Sequence, residues 1–174
     1  MIRVKVSLLL ILVLSLLTLQ SMSVAAQSQE KIYSIFILNF VKGIQWPDAT
    51  PKKFVIGVLA YPPLAAELMQ TFSSSRIKNH TIEIREYSSI EEIEGCQIIF
   101  VPSFKTRSFE KLLSKVGTKP VLIVSNKMDM AKKGAGANFI LVEGKPTYEI
   151  NCKAIERRGM KISTVVKGGG ILVE

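Results

Sequence analysis

The chain has 174 residues and a formal net charge of +9, which suits one domain of ordinary size with a real hydrophobic core. A basic surface can face anionic lipid or an acidic partner, whereas no aromatic–basic motif of RNA-binding proteins is present. The single histidine excludes a His-rich metal site within one chain, and two cysteines allow at most one disulfide.

The beginning of the chain has the layout of a secretory signal peptide. Two basic residues precede a mainly apolar run, Leu8–Leu17, and small residues follow up to Ala26. The run is shorter than the roughly 20 residues that span a bilayer. Cleavage after Ala25 or Ala26 is therefore favoured over an uncleaved anchor. We predict a signal peptide over residues 1–25 and one exported domain over residues 28–174.

The stretch Lys31–Pro47 predicts a long helix that is apolar on most of its surface. Apolar residues recur at helical spacing in two neighbouring rows, and such a helix must be covered on more than one side. The commoner explanation is packing inside its own domain. The alternative is that part of the surface meets a partner chain. The residues that would make this contact are Tyr33, Ile37, Val41, Ile44 and Trp46.

Strand and helix patterns alternate after this helix. Four short apolar or alternating runs predict strands over Phe54–Ala60, Thr81–Tyr87, Gln97–Val101 and Val121–Ser125. Helices are predicted between them, beginning at Pro62, at a capping box formed by Ser89 and Glu92, and at Phe109. This alternation predicts a mostly parallel sheet covered by helices on both faces.

The last part of the chain has a different pattern. Asn138–Val142 and Thr147–Ile150 flank a Glu-Gly-Lys turn, which predicts a hairpin appended to the sheet. Met128–Lys133 is at most a short helix, and Asn151 can cap a last one. The predicted fold class is therefore α/β: a single-domain three-layer sandwich with a mostly parallel, Rossmann-like sheet and an appended C-terminal hairpin.

Catalytic fingerprints are missing from the sequence, which has no GxSxG, CxxC or HExxH motif. The segment Gly134–Gly136 lacks the third glycine of a phosphate loop and precedes a strand, so a tight turn is expected there. His80 lies in a polar loop and is predicted to be exposed. We therefore predict a protein that is not an enzyme and that binds no cofactor or metal.

One candidate pocket follows from the predicted strand ends, because open α/β sheets bind ligands at the carboxyl ends of their strands. Tyr61 and Pro62 follow the first predicted strand, and Met128 and Phe139 lie near the ends of later strands. These four residues could line a small apolar pocket, although core packing is the commoner role for such side chains.

Four segments, taken together and in order, resemble the YfiR family of exported bacterial regulators. They are KIYSIFILNFVKGIQWP, FVIGVLAYPPLAAEL, SSIEEIEGCQIIFVPS, and KPVLIVSNKMDMAKKGAGANFILVEGKPTYEINCKAIERRGMKIS. The helix ending in Trp-Pro and the late GxxxNF…G…YEIN segment carry most of the specificity. The resemblance implies a one-domain α/β sandwich in the periplasm.

The resemblance also implies a function, which is our leading hypothesis. Such a protein would bind and restrain an inner-membrane signalling protein, a diguanylate cyclase of cyclic di-GMP signalling and biofilm control or a sensor kinase. A homodimer through the first helix is compatible with this function. The alternative is a periplasmic small-molecule sensor or binding module that uses the strand-edge pocket.

Two features qualify the resemblance. Relatives usually continue after the KIS segment as a Leu-rich helix, whereas this chain has Gly168–Gly170, and each interior glycine costs a helix about 1 kcal/mol relative to alanine. Cys96 and Cys152 leave three alternatives open: a structural disulfide, a redox-responsive disulfide as known in relatives, and two separate reduced thiols. A disulfide requires that their Cα atoms lie close together.

Overall fold

The computed structural model describes residues 29–47, 53–73 and 81–174. The predicted signal peptide, its cleavage site and His80 lie outside the described residues. Within the described ranges, no helix is both long enough and apolar enough to cross a membrane.

The predicted strands occur in the predicted order, together with three further short strands that the sequence patterns do not indicate. The strands are β1 (Ile44–Gln45), β2 (Lys53–Leu59), β3 (Thr81–Tyr87), β4 (Ile98–Val101), β5 (Leu122–Ser125), β6 (Ala137–Val142), β7 (Lys145–Asn151), β8 (Lys161–Ile162) and β9 (Ile171–Val173). The α-helices are α1 (residues 29–43), α2 (Pro62–Phe72), α3 (Phe109–Val116), α4 (Cys152–Glu156) and α5 (Thr164–Gly168).

Seven of the described strands form one sheet in the order β3-β2-β4-β5-β6-β7-β9, and β1 pairs separately with β8. The five strands from β3 to β6 are mutually parallel, and β7 is antiparallel to β6. The hairpin between β6 and β7 turns through Glu143 and Gly144, both at positive φ, as a two-residue type I′ turn requires. The α/β fold class with a mostly parallel sheet is confirmed, and the predicted hairpin is present.

Helices cover both faces of the sheet, so the central strands carry apolar side chains on both sides. Ile56 and Val58 of β2 belong to the core under α1 and α2. Val55 and Leu59 of the same strand belong to the core under α3. Because strand side chains alternate between faces, one apolar run supplies side chains to both cores. The sheet is therefore the middle of three layers.

Residues 128–133, predicted as at most a short helix, form turns. The helix predicted from Ser89 differs from the structure, because Ile90–Glu92 is a single 3₁₀ turn. Ser89 does not cap this turn through its side chain. Instead the Glu92 carboxylate accepts hydrogen bonds from the Ser88 backbone N–H and the Ser89 hydroxyl, at 3.0 and 3.3 Å.

The glycine-rich C-terminal segment is ordered around Tyr148. A short helix, α5, does form, and Ser163 caps it by accepting a hydrogen bond from the Val166 N–H. The Tyr148 hydroxyl then donates to the Val166 carbonyl at 2.8 Å. A Cβ atom on Gly170 would lie 2.3 Å from the Tyr148 ring and 2.7 Å from its carbonyl oxygen. Glycine at this position therefore permits the close approach that places β9 beside β7.

Candidate functional site

The five residues predicted for partner contact on α1 and at its exit are buried in the core. The exposed fraction is 0% for Ile37 and Ile44 and does not exceed 8% for Tyr33, Val41 or Trp46. The Trp46 ring packs edge-on against Phe54, with ring centroids 4.8 Å apart. The structure therefore favours the core explanation of this surface. These five side chains therefore offer little surface to a partner of the folded domain.

The carboxyl edge of the parallel strands is where the fold builds an open cavity. The register pairs Val124 of β5 with Ala137 of β6, so β6 starts where β5 is ending and extends beyond the sheet edge. The first turns of α1 cover the same edge. Together they enclose a cavity of about 630 Å³, whose lining includes Tyr33, Ser103, Asn126, Met128, Phe139 and Leu141. We call it the carboxyl-edge cavity.

The floor of this cavity is aromatic and carries a polar group. The Tyr33 ring stacks on the Phe139 ring, with centroids 4.5 Å apart and planes inclined by 29°. The Tyr33 hydroxyl accepts hydrogen bonds from the side-chain amides of Gln29, at 2.6 Å, and Asn126, at 3.5 Å. The side-chain oxygen of Asn126, Oδ1, in turn accepts a hydrogen bond from the Ser103 backbone N–H at 2.7 Å. A flat apolar molecule with one hydrogen-bonding edge would match such a site.

The predicted pocket residues separate into two pairs. Met128 and Phe139 line the carboxyl-edge cavity, whereas Tyr61 and Pro62 do not. Tyr61 lies across the buried Phe100 ring, with centroids 6.1 Å apart, and its hydroxyl donates to the Glu30 carboxylate. Burial and this carboxylate raise the pKa of Tyr61. Pro62 begins α2, as prolines often do.

Of the residues that line the cavity, the sequence predicts only Met128 and Phe139 as pocket residues. Helical spacing predicts Tyr33 as a partner contact instead, because spacing does not say what covers a face. Asn126 had a usable signal, since it directly follows the last residue of a buried parallel strand and such positions meet at the ligand-binding edge.

Three large apolar side chains are exposed around the mouth of the cavity. The exposed fractions are 62% for Phe104, 80% for Met128 and 70% for Leu141. Met128 and Leu141 line the cavity, as does Ser103 next to Phe104. Apolar side chains grouped in this way often mark interaction sites. We call these three residues the carboxyl-edge patch.

The two cysteines are both free thiols in the structure. Cys96 is buried in the core under α3, whereas Cys152 is half-buried and packs against the core under α1 and α2. The sheet separates these two cores, so the arrangement corresponds to the alternative of two separate thiols. Burial raises the pKa of Cys96 to about 11, which keeps this thiol protonated and unreactive at neutral pH.

The chain is thus a three-layer α/β domain with a cavity and an apolar patch at the carboxyl edge of its sheet. The sequence profile of the YfiR/HmsC-like family matches residues 30–166, and the chain belongs to this family. No match is found among curated proteins.

Among the solved structures that match the chain are two, of which the second carries the likeness in fold. One is a conserved domain protein from Vibrio cholerae, at 16% identity and a TM-score of 0.47, covering 69% of this chain and 54% of that one. Another is an ABC domain from Streptococcus pneumoniae in complex with L-Trp, at 17% identity and a TM-score of 0.53, covering 85% and 60%. The chain thus spans little more than half the length of these proteins.

Proposed function

We propose that this protein is an exported, non-enzymatic regulator that binds an inner-membrane signalling protein and restrains it. Membership of the YfiR/HmsC-like family over residues 30–166 is the observation that carries this proposal. A membrane-bound diguanylate cyclase of cyclic di-GMP signalling is the first candidate partner, and the site of action is the periplasm.

The carboxyl-edge patch is the partner surface that we propose in place of the buried face of α1. Phe104, Met128 and Leu141 offer large apolar side chains that are mostly exposed, although the Phe104 ring also packs edge-on against Tyr61. Burial of such side chains against a partner would supply the affinity. Restraint requires that the patch bind the inactive form of the partner more tightly than the active form, because only differential binding shifts an equilibrium.

A crosslinked pull-down from the native envelope, followed by mass spectrometry, tests this proposal. The mature tagged protein is expected to retain a membrane cyclase or sensor kinase, and the double variant Met128→Asp/Leu141→Asp is expected to lose it. The control variant, Met69→Asp/Val165→Asp, alters two exposed apolar residues elsewhere, on α2 and α5. It is expected to retain the partner.

Two results of the pull-down would contradict the proposal. Retention of the partner by the patch variant would place the contact on another surface. Recovery of the protein alone, in a preparation where a known membrane complex is captured, would argue against a regulator of this kind.

Small-molecule binding in the carboxyl-edge cavity is a second candidate function. The cavity volume of about 630 Å³ lies within the range of roughly 300–1,000 Å³ that is common for ligand pockets. The floor formed by Tyr33 and Phe139 is suited to a flat ring. L-Trp, bound by the ABC domain of similar fold, is a reasonable first probe.

Thermal unfolding with increasing L-Trp tests this second function, because a ligand of the folded state raises the melting temperature with its concentration. We expect a rise for the unaltered protein and none for Asn126→Ala, which removes an amide that hydrogen bonds to Tyr33. Glycine at equal concentration is the control ligand. Equal shifts with both amino acids, or no shift with L-Trp, would count against this ligand class.

A further inference from the structure

A second cavity shares no lining residue with the carboxyl-edge cavity and has several cationic side chains in its wall. Its volume is about 390 Å³, and it lies between α4, the end of α3 and the turn at residues 132–134. Five cationic residues line it: Lys132, Lys133, Lys153, Arg157 and Arg158. Glu174 is the single acidic residue in the lining. We call this the basic cavity.

Arg158 is the central feature of the basic cavity because its charge is buried. The residue is 8% exposed. Its Nη1 donates to the Ala154 carbonyl at 3.1 Å and its Nη2 to the Gly134 carbonyl at 3.3 Å. Its Nε is buried without a hydrogen-bond partner. No carboxylate of the described residues forms an ion pair with it.

This environment is unfavourable for a charged guanidinium. Buried charges are normally paired, since the loss of hydration is otherwise not offset. Burial, and next the positive charge of Arg157, lower the pKa of Arg158. An arginine nevertheless remains charged in proteins. The domain therefore keeps a cation where its own residues provide no counter-charge.

The neighbouring charges do not neutralise the site. Lys153 forms an ion pair with Glu174 at 2.8 Å, so the one carboxylate of the lining is already occupied. Lys132 pairs with Asp129 outside the lining, at 3.6 Å. Lys133 and Arg157 are exposed and form no ion pair among the described residues. With Arg158, they leave three cations around one cavity that pair with no carboxylate of the described residues.

We infer that the basic cavity binds an anion that carries a phosphate group. Arg158 would provide a fixed positive charge in the wall of the cavity, and Lys133 and Arg157 would close around the ligand from the surface. Phosphate fits better than a single carboxylate because it carries more charge and can accept from several donors at once. The phosphate group could belong to a soluble metabolite or to the headgroup of an anionic lipid.

Calorimetric titration with inorganic pyrophosphate, at an ionic strength held constant with NaCl, tests the inference. The unaltered mature protein is expected to bind this probe. The variant Lys133→Gln/Arg157→Gln should lose at least about tenfold in affinity, since one charge-assisted hydrogen bond contributes about that much. The control Lys42→Gln/Lys105→Gln removes the same charge from exposed positions outside the cavity and should bind as the unaltered protein does.

Sedimentation with phosphatidylcholine vesicles, with and without phosphatidylglycerol, distinguishes the two sources of phosphate. Binding of pyrophosphate that depends on the cavity residues supports a soluble ligand. Binding to phosphatidylglycerol vesicles alone, with the same dependence, supports a lipid headgroup. Absence of both, or an equal loss in the control variant, would overturn the inference. Arg158→Met should lose more affinity for pyrophosphate than the Lys133→Gln/Arg157→Gln variant does. If Arg158→Met does not fold, the comparison of the Lys133→Gln/Arg157→Gln variant with its control still tests the inference.

Discussion

Replacement of Ile37 by Asp is expected to unfold the domain. Ile37 is fully buried within the core that joins α1 and α2 to the sheet. Loss of a buried aliphatic side chain costs about 2–5 kcal/mol, and an unpaired carboxylate in its place adds several kcal/mol more. The sum approaches the whole free energy of unfolding of an ordinary domain, about 5–15 kcal/mol. Circular dichroism at increasing temperature measures the result.

A matched control lies two residues away on the same helix. Ile35 is 45% exposed, so Ile35→Asp should change the free energy of unfolding by about 1 kcal/mol or less. Ile37→Asp would have to remain folded, with an unchanged melting temperature, for that face of α1 to be a partner surface. Such a result would also mean that Ile37 does not hold α1 against the sheet.

The sequence patterns predict the architecture well because the spacing of apolar residues shows directly which faces of a strand or helix are buried. The runs that became β2, β4 and β5 are apolar without alternation, as strands covered on both faces should be. The pattern of α1 likewise shows that it is buried. It does not show whether the sheet or a second protein covers it, because both bury the same side chains.

The glycines near the C-terminus show a different limit of sequence reasoning. Low helix propensity argues correctly against a long helix at Gly168–Gly170. It carries no information on the close approach to Tyr148, which depends on a residue about 20 positions earlier in the chain. Long-range packing therefore places β9, the strand that follows these glycines, at the edge of the sheet beside β7.

The candidate sites were only partly predictable for the same reason. Tyr33 and Phe139 are in contact although more than one hundred positions separate them in the chain. The basic cavity likewise collects cations from the turn before β6 and from α4 and its C-cap. Their unpaired charge becomes visible only when the carboxylates are placed as well. Residue types indicate whether a side chain is aromatic, polar or charged, whereas the topology of the fold determines which of these side chains lie together.

Replacement of Phe139 by Ala is expected to lower the free energy of unfolding by about 3–5 kcal/mol, which is typical for a buried phenylalanine. Phe139 is 2% exposed and lies at the centre of an aromatic cluster. Its ring centroid is 4.5–6.2 Å from those of Tyr33, Phe36, Phe40 and Phe100. At about 2–4 °C per kcal/mol for a domain of this size, the melting temperature should fall by roughly 6–20 °C.

Phe104→Ala is the matched control for Phe139→Ala, because it removes the same ring from an exposed position at the same edge of the sheet. Phe104 is 62% exposed, and we expect a loss of about 1 kcal/mol or less. If both variants lost the same free energy of unfolding, Phe139 would not be packed at the centre of the aromatic cluster. The carboxyl-edge cavity would then have no rigid aromatic floor. A large difference would separate the two roles at this edge: Phe139 holds the domain together, while Phe104 remains free to meet a partner.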